Sequence, residues 1–179
     1  MTSLGYYALC MTINEYLFQF SYTFGNVLSP RLVERYSERE SIEDLRGLVE
    51  NPLLIIARVA PAALGIVYFA SSAVLETALS SFLPGLASLQ ILLIGTYFSS
   101  VPRGLSSFFI TIRKQAQTVH LYLVAIGLNL VLVWSFLHAG WGLPGAAIGT
   151  TISLAFFGTG LVVLALRYFM PPLAVIRFL

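Results

Sequence analysis

Cysteine occurs once in the 179 residues, as Cys10, so neither an internal disulfide framework nor a cysteine-spaced metal site is available. Cys10 reads as a small apolar helix residue. Charge is also scarce: 10% of residues are charged against 58% hydrophobic, too apolar a balance for a soluble domain of this length. Outside residues 31–51 the only acids are Glu15 and Glu76. The two histidines, His120 and His138, fall at opposite ends of one apolar run and cannot share a metal. There is no cluster of histidines and carboxylates, no nucleophile with a base at fixed spacing and no phosphate-cradling glycine loop. The expectation is a chain that is not an enzyme, with no catalytic residue, cofactor or metal. Basic tracts with interleaved aromatics are missing too, so the formal charge of +2 implies no nucleic-acid partner. Met1 to Cys10 lacks the basic region and small-residue cleavage site of a signal peptide, so the first apolar run is expected to persist as a span.

What the chain has in abundance is long apolar sequence. Five runs, Gly5 to Leu28, Leu53 to Leu75, Leu86 to Ile112, Val119 to Leu137 and Ala146 to Leu166, are each about long enough to cross a bilayer as a helix. Arg31, Arg35, Arg39 and Arg46 follow the first run, Arg113 and Lys114 the third, and Arg167 and Arg177 the fifth. The gaps Glu76 to Gly85 and His138 to Pro144 contain no Lys or Arg. Because translocating basic loops is disfavoured, this alternation predicts a topology with the N-terminus outside and the C-terminus in the cytoplasm. The expected fold is an all-α polytopic membrane bundle of five transmembrane helices, one membrane domain over residues 1–179.

Residues 31–51 break the pattern, since four arginines and six acids alternate there with Leu32, Val33, Tyr36, Ile42, Leu45, Leu48 and Val49. They predict a cytoplasmic amphipathic connector, with Ser41 and Asp44 spaced as a capping box. Pro52 marks the entry to the second span and Pro144 the entry to the fifth, because proline is tolerated in the first turn.

Polar groups inside the apolar runs are expensive unless protein or water meets them, which makes them the candidates for function. In the first span Thr12, Glu15, Gln19, Tyr22 and Asn26 recur at steps of three and four and share one face. In the third span Thr96, Ser100, Arg103, Ser107, Thr111 and Lys114 do the same. Both faces are expected to look into protein or a water-filled cavity. Glu15 and Arg103 each lie about 15 Å deep on this reading. A charge there costs at least about 2.5 kcal/mol on insertion scales, so the two are expected to pair. The pair either lines a substrate path or only fixes helix register. Arg58 sits near the cytoplasmic end of its span and can snorkel to the headgroups. Asn129 is placed either to bond across helices or to line the cavity, and Gly145, Gly149 and Ser153 form a small-residue row for close helix contact. Trp141, Tyr6, Tyr7 and Tyr168 fall where interfacial aromatics are expected. Pro61 and Pro102 lie inside helices, and a bend at Pro102 would occur beside Arg103.

The segments Leu4-Gly5-Tyr6-Tyr7-Ala8-Leu9, Val27-Leu28-Ser29-Pro30-Arg31-Leu32 and Leu143-Pro144-Gly145-Ala146-Ala147-Ile148-Gly149-Thr150 follow one another with the arginine-bearing third span between them. In that order they resemble the C-terminal half of polysaccharide flippases of the multidrug/oligosaccharidyl-lipid/polysaccharide exporter superfamily. The resemblance implies a partial C-terminal bundle of a longer transporter in the cell membrane, completed by an N-terminal half or a complementary subunit. It implies translocation of a lipid-linked anionic glycan, with membrane lipid as the surrounding partner. On that resemblance Arg103 attracts the pyrophosphate, and Glu15, Gln19, Tyr22 and Asn26 line the glycan path. Ser100 and Ser107 share the face of Arg103, and Arg58 stands at the inner mouth. Two alternatives stay open: a cation-coupled drug or metabolite antiporter of the same superfamily, and a non-transporting membrane scaffold.

Overall fold

The computed structural model describes residues 5, 6, 8, 11–13, 15, 16, 30–38, 41–77 and 80–169, with Arg103 described by its backbone alone. Among them every regular element is helical. Residues 30–38 form a short helix, and a 3-10 turn at Glu43–Leu45 runs directly into α1 (Arg46–Thr77). A 3-10 segment, Ser80–Gly85, leads into α2 (Leu86–Ser100). The 3-10 turn Val101–Gly104 then separates α2 from α3 (Leu105–Thr111). The last two helices are α4 (Gln115–His138) and α5 (Gly142–Leu166).

Four helical stretches are long and apolar enough to cross a membrane, namely Glu43–Thr77, Ser80–Thr111, Gln115–His138 and Gly142–Leu166. They coincide with the second to fifth apolar runs. Most of the first run lies outside the described residues, although Gly5, Tyr6, Ala8, residues 11–13, Glu15 and Tyr16 are helical.

α5 is the central helix, packed most extensively against α2 on one side and α4 on the other, while α1 lies outside against α2. Burial follows the same order. The most apolar windows of the second and fourth stretches are 39% and 33% buried, those of the first and third only 6%. Helices α1 and α4 thus leave Ile66, Phe69, Val124 and Leu130 bare, as a bilayer-facing surface requires. Glycines let the central helix approach its neighbours. A Cβ on Gly149 would stand 3.0 Å from the backbone nitrogen of Val133 in α4, and one on Gly95 in α2 would stand 3.0 Å from the Cα of Thr151 in α5. Gly145 meets the side chain of Phe136, so the small-residue row 145/149/153 is buried in helix contact.

Two apolar clusters mark the two ends of the bundle. One joins Leu45, Val49 and Leu53 of the α1 start to Phe108, Phe109 and Ile112, with Leu161 and Ala165 of the α5 end. The other joins Leu75 of the α1 end to Leu89, Leu92 and Ala147. Arg31, Arg35, Arg46, Arg113, Lys114 and Arg167 all lie in or beside segments at the first end, the basic end. The turns at 80–85 and 139–141 lie at the other. Leu32 and Leu45 are fully buried in the basic-end cluster, so the 31–51 segment docks onto the bundle through its apolar face.

Helix α1 starts earlier than Pro52 indicates. It runs unbroken through Pro52 and Pro61, and its 32 residues span about 48 Å, well beyond the roughly 30 Å of a hydrocarbon core. The reason is tertiary: Leu45, Val49 and Leu53 succeed one another at steps of four on a buried face, and that packing outweighs the lost hydrogen bond at Pro52. The helix-start cap falls at Ile42, one residue after the expected Ser41. Pro144 does lie in the first turn of α5, as expected. Tyr168 is drawn inward as well, its ring edge-on to Phe108 and Phe109 and its hydroxyl donating to Oε1 of Gln117 at 3.1 Å.

Candidate functional site

The second membrane-length stretch, Ser80–Thr111, is not one continuous helix, and its interruption is where the polar residues gather. Pro102 has no N–H to donate to the carbonyl of Phe98, four residues earlier, so the α-helical ladder stops. The chain tightens into the 3-10 turn Val101–Gly104, with the Leu105 N–H donating to the Pro102 carbonyl, and resumes as α3. Gly158 of α5 stands against this gap. A Cβ at 158 would overlap the Phe98 carbonyl oxygen and lie 2.8 Å from its carbon. The expected bend at Pro102 is therefore a local change of helix type, held from the side by α5. The 3-10 turn also packs against α1.

Hydroxyls line the approach to this turn from α2. Thr96 is fully buried and Ser100, the last residue of α2, is 4% exposed. The Thr96 hydroxyl donates to the Leu92 carbonyl at 2.9 Å, and the Ser99 hydroxyl to the Thr96 carbonyl at 3.1 Å. Such bonds to the preceding turn let a hydroxyl enter an apolar interior cheaply. Two bonds tie the element to its neighbours: Thr151 donates to the Ile91 carbonyl at 2.9 Å, and Tyr97 reaches the Ala57 carbonyl of α1 at 3.5 Å. On the far side of the turn Ser107 is half-buried, and its carbonyl accepts from Thr111 at 2.9 Å.

Ser100, the Arg103 backbone and Ser107 are thus brought together along one interrupted element, between α1 and α5. The third-span stripe looks into protein at Thr96 and Ser100. Lys114 is exposed beyond the end of α3. Arg58 is exposed on α1, on the same helix face as Ile55 and Ala62. Glu15 and Thr12 are helical and exposed, and the Thr12 hydroxyl donates to the Ala8 carbonyl at 2.9 Å. Gln19, Tyr22 and Asn26 lie outside the described residues, as does the Arg103 side chain, so the expected Glu15–Arg103 pair lies outside them too. Asn129 bonds across helices as expected, its Nδ2 donating to the Thr150 hydroxyl at 3.3 Å.

Three contributors escaped sequence reasoning. Ser88 is fully buried and its hydroxyl has no partner among the described residues. Its signal was present, because 88, 92, 96 and 100 fall at steps of four and extend the hydroxyl face outward. Thr151 and Gly158 gave no such signal, since their importance lies in which helix they face.

The chain matches no family model, and no curated protein and no solved structure is significantly similar to it.

Proposed function

We propose that this chain is a membrane-transport subunit that moves lipid-linked oligosaccharide or polysaccharide repeat units across the cell membrane, acting with a second bundle. In this reading the described helices and the first apolar run make five spans, with the N-terminus outside and the basic end in the cytoplasm. The observation that supports it is the interruption of the Ser80–Thr111 stretch at Val101–Gly104, carrying Arg103 between the buried Ser100 and the half-buried Ser107. Discontinuous helices recur at transporter binding sites, where protein or a water-filled cavity covers the break. A guanidinium at such a turn suits a pyrophosphate, which it can bind bidentately. Ser100 and Ser107 flank it, Arg58 stands toward the basic end, and Glu15, Gln19, Tyr22 and Asn26 supply the facing polar wall of the path.

A scaffold reading has its own support. Thr96, Ser99 and Thr111 all satisfy their hydroxyls within their own helix, which needs no water. Single cysteines in a Cys10→Ser background, probed in membranes with a soluble thiol reagent, separate the two. Transport predicts labelling at Gln19 and Ser107, none at Ile66 and Val124, and protection of Ser107 by a polyprenyl pyrophosphate that is lost in Arg103→Gln. Unreactive stripes would leave the scaffold. Labelling that polyprenyl pyrophosphate does not slow would remove the anionic substrate.

A further inference from the structure

The basic end carries an open cleft of about 520 Å³ between the helix at residues 30–38 and the start of α1. Its walls are two helix faces. Arg31, Glu34, Arg35 and Glu38 share one, at steps of three and four, and Asp44, Gly47, Leu48 and Asn51 repeat that spacing on the other. Facing helix surfaces normally close on apolar residues, but here the apolar residues Leu32 and Leu45 point elsewhere, into the bundle.

On the wall of residues 30–38, Arg31, Arg35, Glu34 and Glu38 bring charges of both signs to the cleft. Arg31 and Glu34 are one turn apart, yet among the described residues neither side chain makes a hydrogen bond or an ion pair. Arg35 and Glu38 form only a loose pair at 3.6 Å, with 44% and 55% of their side-chain surfaces exposed. Solvated pairs of this kind hold each other weakly, so both partners can turn to a ligand. A ligand with an anionic and a cationic group close together meets this arrangement, whereas a purely anionic one meets the carboxylates of Glu34 and Glu38 as well as two guanidiniums.

The α1 wall also indicates what the rest of the ligand is. The face that carries Asp44, Leu48 and Asn51 continues along the helix, again at steps of three and four, as Ile55, Val59, Ala62, Ile66 and Phe69, all exposed. A polar cleft thus opens onto an uncovered track, apolar except for the exposed Arg58 beside Ile55 and Ala62 near the cleft, that runs toward the opposite end of the bundle. An amphiphile fits both parts at once, with a zwitterionic head in the cleft and acyl chains along the track.

We propose that this cleft binds an aminophospholipid of the phosphatidylethanolamine type, its phosphate against Arg31 and Arg35 and its ammonium against Glu34 and Glu38. The ammonium has N–H groups to donate to a carboxylate, which the methylated ammonium of phosphatidylcholine does not. Phosphatidylglycerol offers the phosphate but no cation. The assignment does not depend on the transported substrate.

The test is to reconstitute the full chain in nanodiscs holding equal amounts of phosphatidylethanolamine, phosphatidylcholine and phosphatidylglycerol. Lipid retained on the released protein is read by native mass spectrometry. Phosphatidylethanolamine is expected to be retained in preference to both others. Arg31→Gln combined with Arg35→Gln, and separately Glu34→Gln combined with Glu38→Gln, should each lower that preference by about tenfold, the scale of one charge-assisted hydrogen bond. Gly47→Phe is a steric counterpart that leaves the charges alone. A Cβ at 47 meets only Nδ2 of Asn51, at 4.0 Å, so a ring there is accommodated by the fold and occupies the cleft. It should abolish the preference with helicity unchanged, and it decides the matter if the charge variants do not fold. Equal retention of the three lipids, a preference for phosphatidylglycerol, or a preference that survives Gly47→Phe would each overturn the proposal. Displacement of the lipid by soluble phosphoethanolamine at matched concentration would show that the apolar track contributes nothing, and would overturn the lipid assignment.

Discussion

The carbonyl oxygen of Phe98 occupies the space where a side chain on Gly158 would begin. The two belong to different helices, and the relationship has one cause on each. Pro102 takes away the N–H that would hold the Phe98 carbonyl in the α2 ladder, and glycine at 158 lets α5 come close enough to cover it. The interrupted third element and the central helix are fitted to each other at this point.

Gly158→Ala is therefore expected to destabilise the bundle by about 1–3 kcal/mol or more, because the atom in the way is backbone and cannot turn aside. Gly127→Ala on α4 is the control: nothing lies within 4 Å of its added Cβ, and the change should be neutral or stabilising by up to about 1 kcal/mol. Thermal unfolding in detergent reads both. Equal midpoints for the two variants would mean that the close approach of α5 to Phe98 is not part of the fold in solution.

Thr151 and Asn129 allow a graded comparison of interhelical hydrogen bonds. The Thr151 bond to the Ile91 carbonyl is 2.9 Å long and that of Asn129 to Thr150 is 3.3 Å. Polar bonds between membrane helices contribute about 0.6 kcal/mol on average and up to about 1.7. Thr151→Val should cost near the upper figure, since its partner helix meets it at Gly95 with no room to adjust. Asn129→Leu should cost less, as the longer bond lies on the outer helix α4. The reverse order in chemical denaturation would count against the assigned geometry.

Four of the five expected spans were legible because their apolar lengths need no knowledge of neighbours. The break at Pro102 was legible for a similar reason, proline's missing N–H being a local fact. What escaped was relational. The start of α1 at Arg46 depends on Leu45 and Val49 finding Phe108 and Leu161, residues far off in the chain. Gly95, Gly149 and Gly158 look alike in sequence, yet Gly149 faces α4, Gly95 faces Thr151 of α5 and Gly158 faces Phe98 of α2. The third-span hydroxyls were expected on a polar face. That Thr96 and Ser99 turn back onto their own carbonyls became visible only with the helix neighbours in place.

The two ends of the bundle give a topology prediction that is independent of the transported substrate. Lys114 and Glu43 lie at the basic end, Ser81 and Ala139 at the opposite one. Single cysteines at these four positions, labelled with an impermeant reagent in intact cells, should react at 81 and 139 and remain protected at 43 and 114 until the cells are opened. The inverse pattern would place the basic end outside.

Arg113 offers the last test, because it combines backbone strain with a charge that the topology uses. It follows α3 with φ +57°, in the left-handed region, while its N–H donates to the Ile110 carbonyl at 3.0 Å and that of Lys114 to the Phe109 carbonyl at 2.8 Å. This is the helix-ending motif that glycine usually occupies, and a side chain there costs about 1–2 kcal/mol. Gly140 holds the equivalent place after α4 at φ +80°, where no basic residue is present. Arg113→Gly should raise stability by about 1 kcal/mol, and Arg113→Ala should give no gain, because alanine keeps the Cβ that causes the strain. Orientation should be unchanged in both, since Lys114, Arg46 and Arg167 remain at the same end. If alanine and glycine stabilise equally, the gain comes from removing the charge, and the left-handed turn is not its source.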